Sequence, residues 1–364
     1  MKRWCIVGLC LAMLLCLTAC GGDEGTGSGT GTGDGYRLGL ATVSKMNVAG
    51  GDLSSVKATV AAVTLDKEGV IRQCRIEETA FDVTLKNGAL QSMMDTMMMG
   101  KWERGDDYTL TDEERGDSNN RRSWREQVDA FCRYVVGKTP DEVSSIAATD
   151  GRSSEIPGCD LVITDFIQAV HKAGKSVKNA GMMASDTLHL AVSADRSKDS
   201  ADEAPQFDIE MAAVTVGKDG KITACVSDTL QAKLTVKEGV FSMASGDLTT
   251  KRMMGDSYGM KDASSLKKEW YQQADAFDAY VVGKTPDTLQ GVSVDKDGRV
   301  DGISGCTIVV SGMLKNVIKA AKMTGTGASD GTADGSTTGT NAGDTLKDDV
   351  SDMVSDMTED TTKK

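Results

Sequence analysis

The sequence predicts an α+β protein made of two tandem copies of a small domain, each an antiparallel sheet followed by helices. Three observations predict it. The first is repetition. Asp129-Ala130-Phe131-Cys132-Arg133-Tyr134-Val135-Val136-Gly137-Lys138-Thr139-Pro140-Asp141 recurs 146 residues later as Asp275-Ala276-Phe277-Asp278-Ala279-Tyr280-Val281-Val282-Gly283-Lys284-Thr285-Pro286-Asp287. Trp124 matches Trp270 at the same offset, and Cys74 matches Cys225 at an offset of 151. Small loop changes account for the drift, so one domain has been duplicated. The second observation is a run of β-rich segments around Gly-bearing turns, early in each copy. The third is helical apolar spacing later in each copy.

The elements follow in order. Met1-Lys2-Arg3 is basic and Trp4 to Leu17 is almost wholly apolar. Residues 1–19 therefore read as a secretory signal, too short for a stable membrane span. The run Leu17-Thr18-Ala19-Cys20 resembles a bacterial lipobox. That resemblance implies cleavage before Cys20, diacylation of its thiol and attachment to a membrane through lipid, at an extracytoplasmic location. Residues 20–35 are a tether without apolar side chains after Cys20. Fifteen such residues span about 21 Å root-mean-square.

Repeat 1 is expected over 36–176 and repeat 2 over 184–323. In repeat 1, Val56 to Leu65 reads as a strand, Asp66-Lys67-Glu68-Gly69 as a hairpin turn, Val70 to Ile76 as the return strand and Phe81 to Leu85 as a third strand. Repeat 2 has Phe207 to Met211, the turn Gly217-Lys218-Asp219-Gly220, then Lys221 to Val226 and Ala232 to Val236. Trp124, Val128, Phe131, Cys132, Val135 and Val136 share one helical face, and Gly137 stops that helix. Thr139-Pro140-Asp141 suits a new helical turn, with Thr at the N-cap and Pro at the first position. Phe166, Ile167 and Val170, and likewise Met313, Leu314, Val317 and Ile318, make short amphipathic helices. Residues 324–364 are a low-complexity acidic tail, in which Leu346, Val350, Met353, Val354 and Met357 fall at helical spacing.

Composition narrows the function. The formal net charge is −13 and the pI about 4.8, which argues against nucleic acid as a partner. Only His171 and His189 occur, so zinc chemistry and His-based acid–base catalysis are not expected. No nucleophile–base pair, P-loop or Rossmann glycine pattern is present, so the chain is not expected to be an enzyme. Met93, Met94, Met97, Met98 and Met99 cluster, which reads chiefly as core packing and secondarily as soft thioether ligation. Asp106 and Asp107 sit in a turn repeated as Gly255-Asp256-Ser257-Tyr258, but offer an incomplete Ca²⁺ ligand set.

The most informative stretch is Asp301-Gly302-Ile303-Ser304-Gly305-Cys306-Thr307, with a weaker copy at Glu155-Ile156-Pro157-Gly158-Cys159-Asp160. Together with the Lys218-to-Ile222 hairpin and the final helix, it resembles the FMN-binding domain family of sodium-pumping and Rnf-type oxidoreductases and surface flavolipoproteins. In that family the motif's last Thr takes FMN through a phosphoester made by a dedicated transferase. The resemblance implies a site of Asp301, Ser304, Gly305 and Thr307, with Cys306 where the family has Ala. It also implies an extracytoplasmic electron carrier with a redox partner at the membrane or surface. Repeat 1 has Asp160 and Pro157 in place of Thr307 and Ser304, so at most one covalent FMN is expected. The alternative is a non-redox surface lipoprotein for adhesion or ligand binding that keeps the fold.

Both copies share a cysteine on the return strand (Cys74, Cys225) and one in the motif (Cys159, Cys306). Two readings stand: disulfides Cys74–Cys159 and Cys225–Cys306 with Cys132 unpaired, or four small buried core residues.

Overall fold

A computed structural model describes residues 35–329 apart from 92–98, 117–118, 180, 198–200, 202–203, 243–245 and 324–327. The signal, Cys20, most of the tether, Met93 to Met98 and the helical spacing of the tail lie outside the described residues.

Strands β1 (Arg37–Gly50), β2 (Leu53–Leu65) and β3 (Ile71–Lys86) form an antiparallel meander. After β4 (Ala89–Leu90) come α1 (Lys101–Arg104), α2 (Asp112–Arg115), α3 (Trp124–Val135), α4 (Pro140–Ser144) and α5 (Thr164–Lys175). β5 (Lys178–Asn179) leads into a second antiparallel meander, β6 (Thr187–Arg196), β7 (Gln206–Val216) and β8 (Ile222–Lys233). Then follow β9 (Val236–Lys237), β10 (Val240–Phe241), β11 (Gly246–Asp247), α6 (Lys251–Met254), α7 (Trp270–Val281), α8 (Pro286–Gln290), α9 (Ser311–Lys322) and β12 (Ala328–Ser329). The class is mixed α and β with antiparallel sheets, as expected.

Local chemistry sets the boundaries. Asp66 N donates to Val70 O at 3.0 Å, closing the turn that joins β2 to β3, and Gly217 N donates to Lys221 O at 2.9 Å between β7 and β8. Ser123 and Glu126 make a reciprocal capping box at the start of α3, and Thr139 and Glu142 make one at α4, with Pro140 in its first turn.

The expected strands need two corrections, the second with a physical cause. β1 and β6 precede the hairpins and were not read from the sequence. The expected third strands are not separate: Phe81 to Leu85 continues β3, and most of Ala232 to Val236 continues β8 or follows it. The polar middle of β3 (Glu77, Glu78, Thr79) looks like an interruption, yet all three residues are buried. Glu77 accepts hydrogen bonds from the backbone N–H of Trp102 (2.8 Å) and Glu103 (3.1 Å) at the start of α1. Glu78 pairs with Lys101 and, at 3.2 Å, with Lys57. In β8, Asp228 accepts from the Arg252 N–H at 3.0 Å in the same way. Partnered carboxylates can run through a buried strand because their lone pairs are satisfied.

The two sheets pack face to face. Along β2, Val56, Ala58, Val60 and Ala62 face a core shared with Leu188, Leu190 and Val192 of β6 and Phe207, Ile209 and Met211 of β7. The Phe81 and Phe207 rings meet across it at 5.4 Å. The outer face of the first sheet (Ala61, Val63, Leu65) packs on α3 and α5, and that of the second (Ala212, Val214, Ile222) on α7 and α9. The result is four layers, helix–sheet–sheet–helix. The inner core is common to both copies. Gln73 of β3 donates to Asp186 O (2.7 Å) and accepts from Leu188 N (2.8 Å), β11 pairs with β1, and Lys319 of α9 pairs with Glu103 of α1.

Glu210 of β7 lies against Gly312 in the first turn of α9. Burial, helped by neighbouring Asp208, pushes its carboxyl up to about 7. A raised folded-state value means stability that is full below the ordinary value of 4.5 and lost as pH rises through about 7. Glu77, buried and raised to about 7, adds to the same slope. Glu210→Gln is expected to flatten the fall in urea midpoint between about pH 5 and about pH 8; an unchanged slope contradicts the assignment.

Candidate functional site

The loop between α8 and α9 carries the motif, and it is not a strand. A turn around Asp295 opens it: Asp295 Oδ1 accepts from the N–H of Asp297 (2.9 Å) and Arg299 (2.8 Å). Val310 N closes it by donating to Gly298 O at 2.8 Å. Ile308 and Val310 are anchored in the outer core while Val309 is exposed. The β-branched residues therefore pin a loop, which then hands over to α9.

Within the loop, Cys306 N donates to Ile303 O at 3.2 Å, and Gly305 takes φ +84°. This left-handed position suits glycine, and a Cβ there would also lie 2.9 Å from Lys268 Nζ. Gly305→Ala is expected to destabilise by about 1–2 kcal/mol, read as a lowered thermal midpoint; no change would mean the loop relaxes freely.

Thr307 is exposed, and its position is fixed. Its N–H (2.9 Å) and its Oγ1 hydroxyl (3.0 Å) both donate to Gln273 Oε1 of α7. Gln273 is fully buried and is itself held: its Nε2 donates to Ser264 Oγ (3.0 Å) and Lys268 O (3.2 Å). Arg299 Nε donates to Thr307 O at 3.0 Å, which lays a guanidinium beside the threonine. Thr307 is thus an exposed residue whose hydroxyl turns onto a buried amide, with Lys268 and an Asp297-paired Arg299 at the loop. Its partner is an amide oxygen, which is no base.

Of the four predicted residues, Asp301, Ser304 and Thr307 are exposed and Gly305 is half-buried, all on this one loop. Cys306 points the other way, into the outer core with Ile303 and Ile308, and burial raises its thiol. Cys306 is accommodated inside, away from the exposed Thr307.

The first half repeats this scaffold without the hydroxyl. Gly158 has φ +85°, Cys159 N donates to Ile156 O at 3.2 Å, and Gln127 Oε1 accepts from Asp160 N at 2.8 Å. Arg152 donates to Asp160 O as Arg299 does to Thr307 O, and Arg122 overhangs Gly158 as Lys268 overhangs Gly305. Sequence reasoning missed Gln127/Gln273 and Arg152/Arg299. Their signal is the constant offset of 146 or 147 residues.

All five cysteines of the folded region are buried free thiols. Cys132 of α3 and Cys74 of β3 share one core, and Cys225 Sγ lies 3.6 Å from Asp278 Oδ1 of α7. The pairings Cys74–Cys159 and Cys225–Cys306 are therefore not those the structure shows: each return-strand cysteine faces the long helix, α3 or α7, in its own half.

Other charged and polar groups lie away from this loop. Lys101 lies over the Tyr108 and Trp124 rings at 5.2 and 5.8 Å. Burial opposes its charge, but Glu78 and Glu114 outweigh that and raise it. Lys251 lies likewise over Tyr258 and Trp270. His171 pairs with Asp141 at 3.1 Å on the surface, and burial lowers His189 to about 4, keeping it neutral. Asp106 and Asp107 belong to a 3-10 turn, and among the described residues no group of three or more His, Cys, Asp or Glu is placed to hold a metal ion. The chain matches no family model, and neither the curated proteins nor the solved structures compared with it give a significant match.

Proposed function

We propose that the chain is a lipid-anchored extracytoplasmic electron carrier, built from two fused copies of an FMN-binding-like unit and carrying one covalent FMN on Thr307. One observation carries the reading: an exposed threonine, its hydroxyl fixed by the buried Gln273, on a glycine turn. The residues fit the group. Lys268 offers positive charge to a phosphate at this loop, Arg299 lies beside it with one nitrogen paired to Asp297 at 2.8 Å, and Cys306 is out of the way. When bound, FMN supplies the electron-transfer chemistry.

The chain's own part is to present the hydroxyl, hold its orientation and balance the phosphate charge. It offers no base at Thr307, so deprotonation and attachment fall to an external transferase. The first half, with Asp160 in the same cradle, contributes structure. Its role is to complete the inner core and the edge contacts of the second half. The partners on this reading are a membrane, through the lipid on Cys20, and a redox protein at that surface.

Co-expression with a flavin transferase tests the proposal. The expected product shows flavin absorbance that survives denaturation and gel filtration, and that bleaches on chemical reduction. Colourless protein would leave the non-redox surface lipoprotein as the reading.

A further inference from the structure

The second half has a buried polar cluster beneath α7. Asp278 accepts from Ser227 Oγ (2.5 Å) and Ser227 N (3.1 Å), and Arg252 Nη2 reaches its other oxygen at 2.9 Å. Cys225 Sγ lies 3.6 Å from Asp278 Oδ1. The repeat maps each member onto the first half: Cys225 onto Cys74, Ser227 onto Ile76, Arg252 onto Trp102 and Asp278 onto Cys132. The hydroxyl, the cation and the carboxylate have been exchanged together. What remains at the position of the thiol–carboxylate contact is a pair of thiols.

The geometry of the first half agrees. Cys74 on β3 and Cys132 on α3 lie buried in one core cluster, at the positions that in the second half place Cys225 Sγ 3.6 Å from Asp278 Oδ1. We propose that Cys74 and Cys132 are a disulfide-forming pair, joined when the chain folds under oxidising conditions, so that β3 is linked to α3. Each thiol gives up one proton and one electron, and the S–S bond forms. The electrons pass to another disulfide, of a small molecule such as oxidised glutathione or of a protein oxidase, which leaves as two thiols. Both sulfurs are buried in the folded chain, so the exchange takes place before this core closes. The link is independent of the flavin reading. Cys159, Cys225 and Cys306 stay as thiols.

The test is to refold the reduced, denatured full chain in mixed reduced and oxidised glutathione, alkylate it and digest it without reduction. The expected digest contains one cross-linked peptide pair bearing Cys74 and Cys132, lost on reduction, with Cys159, Cys225 and Cys306 alkylated. Alkylation of both Cys74 and Cys132, or a Cys74–Cys159 link, overturns the proposal. Cys159→Ser should keep the cross-link, and its loss there would count against the pairing. Reductant should lower the thermal midpoint of the wild type formed this way and leave that of a C74A/C132A variant unmoved; equal shifts in both would contradict it.

Discussion

Thr307→Val is expected to abolish flavin attachment while the protein folds as before. Valine keeps the shape and removes the one oxygen able to form the ester. The backbone N–H of residue 307 can still donate to Gln273 Oε1, so the loop keeps one of its two bonds to α7. Losing one neutral hydrogen bond costs about 0.5–1.5 kcal/mol, far less than unfolds a domain. Thr307→Ser keeps a hydroxyl and should keep attachment, at a lower yield because the β-methyl no longer restricts the rotamer. Flavin absorbance per protein, measured after denaturing gel filtration, separates the three proteins. Equal flavin on wild type and Thr307→Val would place the group elsewhere.

Phe207→Ala is expected to cost about 3–5 kcal/mol, and to weaken both halves together. Its ring lies in the inner core against Phe81, with Val56, Val60, Leu188 and Ile209 in the same cluster. A void there is lined by both sheets, so neither can relax on its own. The wild type should unfold in one transition with equal calorimetric and van't Hoff enthalpies, and the variant in one transition at lower temperature. Segments 36–176 and 184–323 made separately would each expose an apolar sheet face, and neither should show cooperative unfolding. Two resolved transitions in the whole chain, or a cooperative isolated segment, would show that the inner core is dispensable.

The legibility of this fold in its sequence follows from what each residue touches. The helices were plain because α3, α5, α7 and α9 each bury one apolar face, and α3 also opens on a Ser123/Glu126 capping box. The layering was not plain. β2 presents Val60 and Ala62 to one core and Ala61 and Val63 to another, so a period-two signal is absent and the run reads simply as apolar. The breaks placed in β3 and β8 came from carboxylates whose partners lie far away in sequence, such as Glu78 with Lys101 and Asp228 with the start of α6. At the candidate site, the turn glycine and the threonine were legible because they are local. Gln273 was not, because a polar residue on a helix's buried face has no meaning until its partner 34 residues on is known.

The most direct measurement is intact mass, followed by peptide mapping, of the chain co-expressed with a flavin transferase. The account predicts one FMN increment, confined to the peptide that contains Thr307, with the peptide containing Asp160 unmodified. An unmodified Thr307 peptide, or an increment on any other residue, would contradict it.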